Sequence, residues 1–479
     1  MTRIATLARG LMAGGTLMAL GACNMAPHYV RPDLPVAPAL PQGTSYPTLA
    51  AGDGAVDAIG WQAFFTDQRL KDTITLALAN NRDLRSAIAA VEQARAQYKV
   101  GRAALLPTVT AGPSASISRG GNGGNVNGAG GNFGGGTNEN YQLSGGISAF
   151  ELDLWGRLRN TSRAAFETYL ASAEGRRATQ ITLVSETATA WLTLAADRDG
   201  LAVAQATLGT REQTLKLTQQ LEANGVGTKL AVAQAQTALD TTRADVADYT
   251  TAVAQDRNAL ELLTGAPVPE ALLPTTLGDG TQMLTSLPVG LSSEVLLRRP
   301  DVLQAEHTLE AANARIGVAR AAFFPRISLT GLLGLASSSL SGLFDGGRFT
   351  WSASGSATQT LFDGGALAGN LAYAKATRDV AVASYEKSIQ VAFREVADAL
   401  ARRGTIDDKL KAQESYLANA QKAADITRSL YRNGINTFLE PLDADRTAYA
   451  ARQALVSARL ARATNMVTLY EVLGGGIAP

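Results

Sequence analysis

The stretches "DLRSAIAAVEQARAQYKVGRAALLP" (83–107) and "DVLQAEHTLEAANARIGVARAAFFP" (301–325) are near copies of one passage, 218 residues apart. Asp83 matches Asp301, Arg102 matches Arg320 and Pro107 matches Pro325. Further on the offset is 209. Gly156 then matches Gly365, Glu186 matches Glu395, "NGVGTKL" (224–230) matches "NGINTFL" (433–439), and Gly265 matches Gly474. The first copy therefore holds nine extra residues between its proline and its glycine, in an interval containing the glycine-rich run 119–140. The chain is a tandem duplication, and its fold is read as two versions of one unit.

Each copy has the same order of parts. A helix of about 23 residues ends at Pro107 or Pro325, where the missing N–H and the restricted preceding residue stop it. Strands follow, at about 108–118 and 141–150 in the first copy and about 326–336 and 349–358 in the second. In "TVTAGPSASIS" Val109, Ala111, Ala115 and Ile117 alternate with Thr108, Thr110, Ser114, Ser116 and Ser118. "FTWSASGSAT" alternates Phe349, Trp351, Ala353 and Ala357 with Thr350, Ser352, Ser354, Ser356 and Thr358. Ten-residue segments that are apolar on one side and small-polar on the other match transmembrane barrel strands. A soluble hairpin with one buried face would show the same alternation.

From about Leu158 to Asn224, and again from Leu367 to Asn433, there is no proline and little glycine. Ile389, Phe393, Val396 and Leu400 fall at i, i+4, i+7 and i+11, a helical spacing. At about 1.5 Å per residue, roughly 67 residues give about 100 Å of helix. The "NGVGT" and "NGINT" turns reverse the chain. Return helices of about 36 residues then end at "LLTG" and "VLGGG". A return helix and the helix before the strands, stacked end to end, nearly equal one long helix. The expectation is a long rod. Four strands cannot close a membrane barrel, because the smallest have about eight. Two, three or four copies would give about 8, 12 or 16 strands, and eight leaves little lumen.

Composition bounds the function. Lys+Arg is 43 against Asp+Glu 42, which argues against nucleic acid as a partner. Aromatic residues are 6 % of the chain, and alanine and other small residues dominate, which suits closely packed helices. The single cysteine, Cys23, excludes internal disulfides and multi-cysteine metal sites. Arg3 and Arg9 precede the apolar run "GLMAGGTLMAL" and then "LGAC" at 20–23. That run is too short to span a bilayer and has the layout of a secretory signal over 1–22. Leu20-Gly21-Ala22-Cys23 resembles a bacterial lipobox, which would make Cys23 the lipidated first residue. Asn24 after it favours the outer membrane. Segment 23–60 is rich in Pro, Ala and Gly and reads as an extended, lipidated tether.

The fragments "FELDLWGRLRN", "LPVGLSSEVLLRRPDVLQAEHTLEAANARIGVARAAFFPRISLTG", "FDGG", "AFREVADALA" and "LYEVLGGG" resemble the outer-membrane efflux family. The likeness is of TolC type, closest to its lipoprotein branch (OprM/NodT type), and covers about 60–476. The domains are then a first efflux repeat at 61–265, a linker at 266–290, a second repeat at 291–474 and a tail at 475–479. The resemblance implies a mainly α fold with transmembrane β: a homotrimer with a 12-stranded β-barrel on a 12-helix periplasmic α-barrel. It implies an exit duct in the outer membrane of a Gram-negative bacterium. The expected partners are a periplasmic adaptor (membrane fusion) protein and an inner-membrane transporter, commonly a proton-driven pump of RND type.

Chemistry is sparse. The two histidines, His28 and His307, have no partner His or Cys in sequence, and no nucleophile–base arrangement is evident. His28 reads as solvated and His307 as surface or wall packing. No enzyme activity, metal or cofactor is expected, apart from the lipid on Cys23. The glycine-rich segments lack a P-loop lysine. By resemblance, Gly225, Val226, Gly227 and Thr228, with Gly434, Ile435, Asn436 and Thr437, lie where the adaptor docks. Glu440 and Asp443 sit at i and i+3 after the second turn, on one helix face, where the first copy has Ala231 and Gln234. By resemblance the duct narrows there, and three copies of two carboxylates would make a cation-attracting aperture with Tyr431 beside it. A lipid-anchored periplasmic scaffold without a pore, or a surface enzyme on a stalk, is the competing reading.

Overall fold

The structure, a computed structural model, describes residues 24–47, 59–119, 137–278 and 292–475. The expected signal at 1–22, the Cys23 acceptor, most of the glycine-rich loop, the later part of the linker and nearly all of the tail lie outside the described residues. The elements are α1 (Trp61–Phe64), α2 (Gln68–Asn80), α3 (Arg82–Ala103), β1 (Val109–Arg119), β2 (Thr137–Leu152), α4 (Arg157–Ala223) and α5 (Lys229–Thr264). The second half continues with α6 (Pro300–Ala321), β3 (Arg326–Ser337), β4 (Phe349–Thr358), α7 (Ala366–Arg432) and α8 (Leu439–Val472). Both α4 and α7 are single helices of 67 residues. The chain divides into two compact units: one holds the described residues up to Arg31, Gln93–Leu170 and His307–Val382, the other Pro32–Glu92, Ala171–Glu306 and the residues from Ala383 on.

The first unit is built on one antiparallel sheet in the order β1-β2-β3-β4. Its register settles what alternation left open. Val109 faces Ile147, Ala111 faces Gly145 and Pro113 faces Leu143. Leu143 in turn faces Leu335, and Gly145 faces Leu333. Leu335 and Leu333 then face Phe349 and Trp351. Directly opposed residues share a face, so one apolar face runs unbroken across all four strands. It is open to solvent: Trp351 is 73 % exposed and Val109 70 %. The opposite face carries Thr110, Ser114, Gln142, Ser144, Ser328, Thr330, Ser352 and Ser356. A buried-face soluble hairpin would hide the first set, so the exposure favours the lipid-facing reading. No helix among the described residues is long and apolar enough to cross a membrane.

The second strand runs four residues earlier than the expected start at 141, because Thr137–Asn140 pair with Ser116–Arg119 despite lacking apolar alternation. A register shift between Ile147 and Phe150 sits at Ala149, whose φ is +52° and whose N–H donates to Thr330 Oγ1 at 3.0 Å. Strands join helices through a tight corner. Trp155 stacks on Phe324 at 4.6 Å between ring centres and donates its indole N–H to Pro325 O at 3.0 Å. Arg157 grips Glu151 through two bonds of 2.7 Å. The expected tether is extended but bound. Here Asn313 donates to Pro27 O and Asn160 to Asn24 Oδ1, both at 2.8 Å.

In the second unit the helices meet through small residues. Ala420 and Ala424 of α7 pack on Ala448 and Ala451 of α8, and side chains of that size let helix axes approach closely. The bulk is concentrated elsewhere: Trp191, Tyr385, Tyr470, Phe64 and Phe65 are fully buried. Phe64 stacks on Tyr470 at 4.3 Å, and Tyr470 donates to Ile59 O at 3.1 Å. Ser293 donates to Ala37 O at 2.6 Å, so the tether is held in this unit too.

Arg299, in the quoted "LRRPD", is the polar anchor of the second unit. Its guanidinium forks onto Asp301 at 3.0 and 2.8 Å, reaches Glu395 at 2.8 Å and donates to Val472 O at 2.8 Å. The residue is 8 % exposed. Removing it would orphan two carboxylates and a buried carbonyl, at a cost of about 3 kcal/mol. Arg299→Ala is expected to lower the thermal unfolding temperature of the purified protein strongly. Arg299→Lys, which keeps the charge but loses the fork, should fall between it and the wild type.

Candidate functional site: the two helical turns

Both turns lie in the second unit, and each reverses the chain by the same device. Gly225 and Gly434 take left-handed φ values of +73° and +70°, a conformation that costs other residues roughly 1–2 kcal/mol. The helix ends are then closed by six-to-one bonds, Val226 N–H to Leu221 O at 2.9 Å and Ile435 N–H to Leu430 O at 3.0 Å. Val226 and Ile435 are 77 % and 69 % exposed. Leu230 and Leu439, one turn further, are exposed too. Each turn therefore presents an apolar pair to solvent.

The return helices start differently. Thr228 caps α5 by accepting the Ala231 N–H at 3.1 Å. At the matching start of α8, Phe438 occupies the cap position with helical φ and ψ and offers no side-chain cap. Instead Asn436 donates from Nδ2 to Glu440 Oε2 at 2.8 Å. Phe438 turns inward with Leu442, against the Ala231, Ala235 and Ala238 stripe of α5. Tyr431 packs on the same cluster, its ring 5.5 Å from that of Phe438 and inclined by 59°. Burial pushes the Tyr431 hydroxyl above its usual pKa.

Of the residues expected at an aperture, Tyr431 thus joins the apolar cluster. Glu440 and Asp443 are exposed on α8. Pro441, between them, is buried within the first turn of α8.

Several partners have no local sequence signal. Arg428 reaches Asp445 through Nε at 2.9 Å and Nη2 at 2.7 Å, and Asp425 at 2.9 Å. Arg211 donates to Ala238 O and Thr242 Oγ1, and lies 5.2 Å from the Tyr449 ring centre. Tyr449 donates to Asp245 Oδ2 at 2.9 Å, and burial together with that carboxylate pushes its pKa up. A cleft of about 80 Å³ lies among Arg211, Arg428, Tyr431, Phe438 and Asp445. Asp443 and Asp445 look equivalent in "LDADR", but only Asp445 is drawn into an ion pair with Arg428. The arrangement ties the long and return helices together by ion pairs, hydrogen bonds and ring contacts.

The outer membrane efflux protein family model matches residues 73–266 and 291–475. The chain belongs to that family, and it is an outer-membrane exit channel of an efflux system. It is 42 % identical over 461 residues to the toluene efflux pump outer membrane protein TtgC of Pseudomonas putida, covering 96 % of this chain and 94 % of that one. It is 40 % identical over 465 residues to the cation efflux system protein CusC of Escherichia coli, covering 96 % and 97 %. The open-state outer membrane channel MtrE of Neisseria gonorrhoeae shares the fold at a TM-score of 0.85 with 36 % identity, covering 95 % and 99 %.

One titratable pair in the same unit sets a pH dependence. Burial, and then a hydrogen bond with Asp197, push the Asp256 carboxyl from its ordinary 3.8 up to about 7. A raised folded-state pKa means the folded chain holds the proton that the unfolded chain releases near pH 4. The resulting stabilisation is complete below that pH and is lost as pH rises through about 7. Wild-type thermal unfolding is expected to fall between pH 5 and pH 8 by more than that of Asp256→Asn. Equal slopes in both proteins would remove the pair from this role.

Proposed function

We propose that three copies of this chain close a 12-stranded barrel and act as a passive duct, with no catalysis of their own. The observation that supports it best is the open four-stranded sheet: one face is continuously apolar and exposed, and the pairing leaves an edge at β1 and another at β4. Unsatisfied edges in hydrocarbon cost several kcal/mol per group, so copies of the sheet must complete one another. The number three comes from the family resemblance.

In this reading the turns are the periplasmic end. Gly225, Val226, Gly227 and Thr228, with Gly434, Ile435, Asn436 and Thr437, form the surface that receives a periplasmic adaptor protein, and their exposed apolar pairs suit a protein partner. Tyr431, Glu440 and Asp443 line the aperture, which opens on engagement of the adaptor and an inner-membrane transporter of RND type. Asn436 holding Glu440 keeps one carboxylate in place near the start of α8. Cys23 carries the lipid that anchors the chain in the outer membrane. The domain limits proposed are a signal at 1–22, the tether at 23–60, repeats at 61–265 and 291–474, a linker at 266–290 and a tail at 475–479. Two relatives of almost equal similarity are named for toluene and for cations. We infer that cargo is chosen chiefly by the pump and not by this chain.

Two measurements test the reading. In planar bilayers the wild-type oligomer should show a small, cation-selective conductance. The Glu440→Ala/Asp443→Ala variant should conduct more, with its cation preference falling toward unity. A wild-type pore unchanged by the substitutions would move the aperture elsewhere, and membrane-inserted oligomers without a pore would revive the scaffold alternative. Separately, metabolic labelling with radioactive palmitate should mark the wild type and not Cys23→Ser; equal labelling would exclude Cys23 as the acceptor.

A further inference from the structure

His307, read from the sequence as wall packing, is met in the structure by two carboxylates. Its Nδ1 lies 3.0 Å from Glu167 Oε2. Glu310, one helical turn along α6, completes a set in which one ligand atom from each residue lies within 4.8 Å of the others. All three belong to the first unit. Glu167 comes from α4, and its side chain is 7 % exposed.

The charge around this cluster is unbalanced. Two carboxylates face one neighbouring cation, Arg163, which sits 3.3 Å from Glu310 Oε2 and 3.8 Å from Glu167 Oε1. Its side chain is 54 % exposed, so these pairs are weakly held and the guanidinium can swing away into solvent. One exposed cation is thus shared between two carboxylates at a place where an imidazole nitrogen and two carboxylate oxygens converge.

We propose that Glu167, His307 and Glu310 form a site for a divalent transition metal of the zinc class, bridging α4 and α6. One nitrogen and two oxygens suit zinc and its neighbours, whereas magnesium and calcium prefer all-oxygen shells. Zinc ligands stand about 2.0–2.2 Å from the metal, so the three side chains close in by rotamer adjustment as Arg163 leaves. A fourth position remains for water. The ion would clip the helix that leaves β2 to the helix that enters β3, which makes it a structural site, independent of the cargo.

The test is isothermal titration of the full-chain, detergent-purified oligomer with zinc chloride, with magnesium chloride as the control. The wild type should bind one zinc per chain above any background, and its thermal unfolding should shift upward with zinc and not with magnesium. His307→Gln, which keeps a group able to hydrogen-bond Glu167, should weaken that zinc site at least about tenfold, since even second-shell changes cost that much. Arg163→Gln removes the competing cation and should tighten it. The proposal is overturned if His307→Gln folds as the wild type does and binds zinc equally. It is also overturned if the wild type takes up no zinc, in which case the ordinary hydrogen bond and ion pairs are the cluster's whole role.

Discussion

An unpaired strand edge cannot be left in hydrocarbon, and the organisation of this chain follows from that constraint. The apolar face formed by Val109, Leu143, Leu333 and Trp351 places the sheet against lipid, where water cannot satisfy the outer N–H and C=O groups of β1 and β4. In the proposed closure the β4 edge of one copy pairs with the β1 edge of the next, which is a head-to-tail contact. A repeated head-to-tail contact ends in a ring only when its rotation closes. In the proposed trimer, duplication places a similar hairpin-and-helix unit around the axis twice per chain.

Close helix packing explains the composition. Ala420, Ala424, Ala448 and Ala451 let α7 and α8 approach, and the Ala231, Ala235 and Ala238 stripe does the same for Phe438 and Leu442. The 6 % aromatic content is therefore not a sign of a weak core. The large rings are placed where irregular chain needs covering, as Tyr470 does over Phe64 and the Ile59 carbonyl. Trp191 donates to the Leu272 carbonyl at 2.9 Å, anchoring the early part of the linker.

Much of the fold was legible because its periods are local. Helix length followed from the absence of proline, and the strand faces from alternation at Phe349, Trp351 and Ala353. The start of β2 was not legible, since Thr137–Asn140 is polar and is held by pairing with β1 rather than by pattern. Nor were Arg299 with Glu395, Tyr449 with Asp245 or His307 with Glu167, because each pair joins residues far apart in sequence that no period links. The turns themselves were plain from Asn-Gly. What the turns hold was not: nothing in "LDADR" separates the exposed Asp443 from Asp445, which Arg428 neutralises.

The two copies differ most informatively where their geometry is otherwise the same. Both turns use a left-handed glycine and the same helix-closing bond, so the fold asks nothing more of them. The first return helix then starts with a threonine cap and Lys229 and has no acid before Asp240, while the second gives up that cap and carries Glu440, Asp443 and Asp445. A helix start does not require these acids, as the first copy demonstrates. The polar sheet face is lined along its middle by Ser, Thr and Gln, which offer a passing solute hydrogen bonds, and its charged groups, Glu151 and Arg326, are paired with each other at the helix end of the strands. The start of the second return helix differs from the first in carrying acids where the first has none. That asymmetry is what supports proposing the aperture at the second turn rather than sharing it equally between the two.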